Sequence, residues 1–181
     1  MAAATFLYGF ALIYGATGFT DFAAIREAVG TRPTPLLVMG LMLSVLGLSF
    51  KIAAVPMHFY VADVYQGAAS GITALLAFVP KAAGFLALFA ILGLVGWRLP
   101  APLHWELCVV AVLTMTIGNV LALLQSNVKR ALAYSSIAHS GYMLVGLIAG
   151  PSPSGVGGVA AVRFYLPAYC RAPLAPVGEL G

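Results

Sequence analysis

Two lysines stand in sequence otherwise apolar enough for a bilayer. Lys51 lies within Ser49-Phe50-Lys51-Ile52-Ala53-Ala54-Val55-Pro56-Met57-His58, and Lys81 within Ala77-Phe78-Val79-Pro80-Lys81-Ala82-Ala83-Gly84-Phe85. A lysine at the bilayer centre costs about 2.5–3.5 kcal/mol on insertion scales, and a wet, partnered path for protons or ions is the usual arrangement that offsets it. Lysine changes its protonation state readily when buried, and proton transfer requires such a group. A third candidate is His139, which shares one helical face with Ser136 and Ser140 through three-to-four spacing. Histidine needs only small environmental shifts to exchange protons near neutral pH. His58 and Asp63, just past Pro56, and Lys129, beside Arg130, are supporting candidates.

Each residue also has a plainer reading. Lys51 could be a helix-end lysine snorkelling to the headgroups. Lys81 would have to snorkel across roughly 15 Å, beyond the reach of its stem. His139 could be a packing histidine, and His58 and Asp63 surface residues at a membrane edge. Lys129 and Arg130 could anchor a helix end, Glu106 could cap a helix N-terminus, and residues 65–67 read as a turn.

The elements that must position these groups follow from composition. Of 181 residues, 62% are hydrophobic and 8% charged, where a soluble domain carries about 25% charged residues. The chain therefore reads as an all-α integral membrane protein. A net charge of +4 from nine basic and five acidic residues, with no basic cluster beyond Lys129-Arg130, gives no sign of a nucleic-acid surface, and none is expected. Cys108 and Cys170 form no CxxC pair, and no phosphate cradle, nucleophile elbow or metal-spaced ligand set occurs. No cofactor bound by this chain is expected. The opening Met1-Ala2-Ala3-Ala4-Thr5 lacks a basic region and is not read as a signal peptide.

Hydropathy predicts a transmembrane region over 1–150 with about five spans, near 2–19, 35–55, 71–96, 106–124 and 131–149. A short interfacial helix is expected between the first two, where Phe22, Ile25 and Val29 recur at helical spacing. Pro35 suits a first helical turn, whereas Pro56 should break the second span, a form common where transporters bind charge. Lys81 falls ~15 Å into the third span and His139 ~14 Å past Arg130, both near mid-membrane. Residues 151–181, with Pro151, Pro153, Pro167, Pro173 and Pro176, read as an irregular Pro/Gly-rich tail, with room for a helix between Val156 and Leu166.

Four stretches together carry a family resemblance. They are Phe50-Lys51-Ile52-Ala53-Ala54-Val55-Pro56-Met57-His58, Asp63-Val64-Tyr65-Gln66-Gly67-Ala68, Val79-Pro80-Lys81-Ala82-Ala83-Gly84-Phe85, and the run from Asn127-Val128-Lys129-Arg130 to His139-Ser140-Gly141-Tyr142. In order and spacing they resemble the antiporter-like membrane subunits of proton-pumping NADH-quinone oxidoreductase, respiratory complex I. The Asp-Val-Tyr-Gln-Gly form is similar to the subunit N type. The resemblance implies a larger inverted-repeat fold of which this chain supplies the middle helices. It implies Lys51 and Lys81 as proton carriers, His139 on a hydrated axis, and redox chemistry in other subunits. Implied partners are other complex I membrane subunits, the lipid bilayer and protons, and the implied location is a bacterial plasma membrane. Tyr60 and Ala62 depart from a usual Trp and Pro, and the proline-rich end suggests a truncated or frameshifted reading frame. A subunit of a multi-subunit sodium/proton antiporter and an inactive structural fragment are the alternatives.

Overall fold

The computed structural model describes residues 2–29, 34–152 and 157–171. Within them the chain forms eight helices and no strand: α1 Ala2–Thr17, α2 Phe22–Val29, α3 Pro35–Ser49, α4 Tyr60–Gly67, α5 Ser70–Leu94, α6 Ala101–Leu123, α7 Val128–Ala149 and α8 Gly158–Arg171. Three stretches are long and apolar enough to cross a bilayer, Gly71–Leu94, Ala101–Leu123 and Val128–Ala149. The α1–α2 pair counts as a fourth if its 59° bend is taken within one span, and α3 is a shorter apolar helix of 15 residues.

Local chemistry explains several boundaries. The Asp21 carboxylate accepts from the backbone N–H groups of Ala23 and Ala24 at 3.1 and 3.0 Å, starting α2 where the interfacial helix was expected. Thr34 caps α3 through the Leu37 N–H, with Pro35 in the first turn. The Asn127 Oδ1 accepts from Lys129 and Arg130 N–H and starts α7.

Two expectations need correction. The second span was expected to run to residue 55, but α3 stops at Ser49, so Lys51 sits in a turn beyond the helix. The backbone here is committed elsewhere: Ala54 N–H bonds Ser49 O at 2.8 Å, and Val55 N–H donates to Thr114 Oγ1 of α6 at 3.0 Å. Ala53 takes a left-handed φ of 57°, and Pro56 has no N–H to continue a ladder. The region read as an irregular tail contains α8, which continues through Pro167. Packing of its buried Val162 and Tyr169 against the body outweighs the bond the proline removes. Residues 153–156 and 172–181 of that expected tail lie outside the described residues.

Small residues set the helix seams. A Cβ on Gly9 would lie 2.7 Å from Ser44 N, and one on Gly47 would lie 2.8 Å from Phe6 Cα, so α1 and α3 meet backbone to backbone. A Cβ on Gly118 would sit 2.7 Å from Ala138 N, joining α6 to α7 equally closely. Membrane helices use such residues because lipid offers apolar side chains no reason to prefer each other. Between the two pairs runs α5, whose Phe85, Leu88, Ile91 and Leu92 are fully buried. Its outward Leu75 and Leu86, with Val112 and Leu123 of α6, remain exposed, a surface suited to lipid or further apolar helices.

Candidate functional site: a buried amine between α5, α7 and α8

Lys81 lies midway along α5 and is 4% exposed, on the same face as the buried Ala77, Phe85 and Leu88. Its Nζ donates to both the backbone oxygen and the Oγ of Ser136 on α7. The Ser140 hydroxyl donates to that same Ser136 oxygen at 3.2 Å, and the Tyr65 hydroxyl lies 3.5 Å from Ser136 Oγ. On the remaining side the Tyr169 ring of α8 faces the amine at 5.4 Å, a cation–π distance. No carboxylate pairs with Lys81 among the described residues; Arg130–Asp63 is the ion pair found there. An amine held by neutral dipoles and a π face is not locked into one charge state, as it would be by a carboxylate.

Ser136, His139 and Ser140, which the spacing put on one helical face, all lie on α7. Ser136 and Ser140 are buried, and His139 is half-buried at the edge of the same cluster. His139 Nδ1 is 2.6 Å from the Tyr165 hydroxyl, and its ring lies 5.0 Å from that of Tyr169. Lys51 joins from the other side. Its side chain is exposed on this chain, but it lines a cavity of about 50 Å³ together with Tyr60, Tyr65, Pro80 and Lys81. The cavity exceeds the ~10–15 Å³ that a single water occupies, and its lining is mostly apolar, so the two lysine side chains border one small space.

Gly84 sets that arrangement. One turn past Lys81, it has room for no side chain: a Cβ there would lie 2.6 Å from Ile52 Cγ2 and 3.2 Å from Lys51 Cβ. Ile52 is 1% exposed and cannot swing aside. Gly84→Ala should cost about 1–3 kcal/mol and lower the thermal midpoint of the detergent-solubilised protein.

The supporting candidates lie elsewhere. Asp63, on the outer face of α4, accepts from Arg130 NH1 at 2.9 Å, and Gln66 shares that donor. Lys129 Nζ donates to Ala68 O at 3.2 Å, tying α7 to the α4–α5 turn. With side chains 76% and 31% exposed, the Asp63–Arg130 pair is weak. Asp63→Asn should change stability by less than ~1 kcal/mol, read from the same thermal melt. His58 is buried against Phe59, ring centroids 4.6 Å apart, and its Nδ1 has no hydrogen-bond partner among the described residues. Glu106 does not cap a helix start. It lies in the second turn of α6, and both carboxylate oxygens are buried without partners among the described residues.

Three tyrosines of the site were not selected from sequence. Tyr65, read there as a turn residue, is 5% exposed within α4 and faces Ser136. Tyr165 and Tyr169 sit four residues apart on α8. That spacing is a usable signal only once the surrounding prolines are allowed inside a helix.

The fold is that of an all-helical protein with three helices long and apolar enough to cross a membrane and an amine buried between α5, α7 and α8. More particularly, the chain belongs to the family described as NADH:quinone oxidoreductase/Mrp antiporter, TM, whose pattern matches residues 1–173. It is 46% identical over 170 residues to NADH-quinone oxidoreductase subunit N of Rubrobacter xylanophilus, covering 93% of this chain and 35% of that protein. A chain in respiratory complex I from Thermus thermophilus with bound aureothin superposes with a TM-score of 0.79 at 38% identity, over 99% of this chain and 37% of the other. A chain of the Mrp complex from Dietzia sp. DQ12-45-1b superposes at 0.81 with 25% identity, over 97% and 32%. The chain thus spans about a third of the length of the curated relatives it matches.

Proposed function

We propose that this chain forms the proton-carrying middle of a subunit N-type membrane component of proton-translocating NADH-quinone oxidoreductase. Protons pass by way of Lys51, Lys81 and His139, driven by quinone reduction in other subunits. The observation that carries the reading is Lys81, buried beside neutral partners and sharing a water-sized cavity with Lys51. In this role α1 and α3 join the three long helices as membrane-spanning elements, giving five spans within a larger inverted-repeat fold. The chain is a non-redox part of a translocase and binds no cofactor of its own. Its partners are the other membrane subunits of the complex, lipid and protons, and its place is the bacterial plasma membrane.

The likeness to an Mrp complex supports a second reading, a subunit of a sodium/proton antiporter. Inverted membrane vesicles carrying the full-length subunit distinguish the two. NADH-driven, sodium-independent acidification supports the first reading. Acidification absent with NADH, but proton release on adding sodium, supports the second.

A further inference from the structure

Helix α8 delivers a hydroxyl to His139. Tyr165 Oη lies 2.6 Å from His139 Nδ1, and this is the only hydrogen bond of the imidazole among the described residues. The titratable groups facing the ring are Lys81 from α5, Tyr142 from its own helix at 5.6 Å between ring centroids, and Tyr165 and Tyr169 from α8. From α4, Tyr65 reaches the cluster through Ser136, and on the α6 side Asn119 donates to the Tyr142 hydroxyl at 3.0 Å.

We propose that Tyr165 is the positioning residue for His139, its hydroxyl holding the imidazole in one orientation through both protonation states. The proposal rests on the relay reading above. A hydroxyl carries one donor and two acceptor sites. When the ring is neutral, Tyr165 O–H donates to Nδ1, which places the ring proton on Nε2. When the ring is an imidazolium, Nδ1–H donates back to the Tyr165 oxygen. The bond survives the cycle without rotation of either ring. A carboxylate in that place would favour the imidazolium, and a backbone carbonyl could answer only an N–H. Aromatic contact with Tyr169 at 5.0 Å helps keep the ring in place.

The test is Tyr165→Phe in the full-length subunit assembled in its complex, which keeps the ring and deletes only the oxygen. Proton pumping per NADH oxidised is followed across the neutral pH range in inverted vesicles and normalised to assembled complex. Lys81→Arg is measured in parallel. The expected result is a fall of about fivefold, the worth of one hydrogen bond, together with a displaced pH profile. A fall with an unchanged profile assigns Tyr165 a structural part only and overturns the proposal. So does normal pumping by Tyr165→Phe beside a silent Lys81→Arg, an outcome that leaves the relay standing. Normal pumping by Lys81→Arg removes the relay, and the proposal with it.

Discussion

Lys81→Arg in the full-length subunit should lower NADH-driven proton pumping by about tenfold or more, a barrier increase of at least ~1.4 kcal/mol, although it retains the positive charge. Arginine does not deprotonate in proteins, and its planar fork differs in shape from the compact ammonium of lysine. Ser136, Ser140, Tyr65 and Tyr169 crowd the Lys81 amine, so the larger head cannot reproduce both bonds to Ser136. Moving one charge against 100 mV costs about 2.3 kcal/mol, so a carrier must cycle its charge to pass that cost to the driving reaction. Lys81→Ala should be equally silent, for want of the amine. Vesicle acidification measures both, and wild-type pumping by either variant would show that the amine carries nothing.

Gly118→Val should have the largest effect on stability. A Cβ at that position would already lie 2.7 Å from Ala138 N and 3.0 Å from Ala138 Cα, and valine adds two further carbons. Backbone cannot rotate away as a side chain can, so α6 and α7 must separate. Overpacking of this kind costs about 1–3 kcal/mol and sometimes more. Ala138 lies between Ser136 and His139, so separation also shifts the partners of Lys81. The expected result is a marked fall in the thermal midpoint in detergent and in the amount of subunit retained in membranes. Gly93→Ala is the comparison: nothing lies within 4 Å of a Cβ there. Alanine should leave stability unchanged or raise it by up to ~1 kcal/mol.

How much of this was legible in the sequence depends on the type of residue. Lys81 was found because a cation in apolar sequence violates hydropathy, and the violation needs no structure to be seen. Ser136, His139 and Ser140 were grouped because helical periodicity is local. The end of α3 was not legible: the apolar run continues past Ser49, and hydropathy does not register a turn made by Thr114 bonding Val55 from 59 positions away. Tyr165 and Tyr169 were passed over because Pro167 and its neighbours read as helix breakers. A proline cost of ~3 kcal/mol applies to a helix judged alone, whereas α8 leans on α7. Glu106 was misassigned because the start of α6 was placed at residue 106 rather than at Ala101.

The glycine one turn beyond Lys81 has a wider consequence. With Ile52 and the Lys51 Cβ packed directly against it, the α5 backbone at Gly84 holds the turn that carries Lys51, so the separation of the two lysine backbones is set by the scaffold. On the relay reading, a proton taken up by one amine raises the cost of charging the other. Such a fixed spacer makes coupling between neighbouring sites reproducible without requiring either helix to travel.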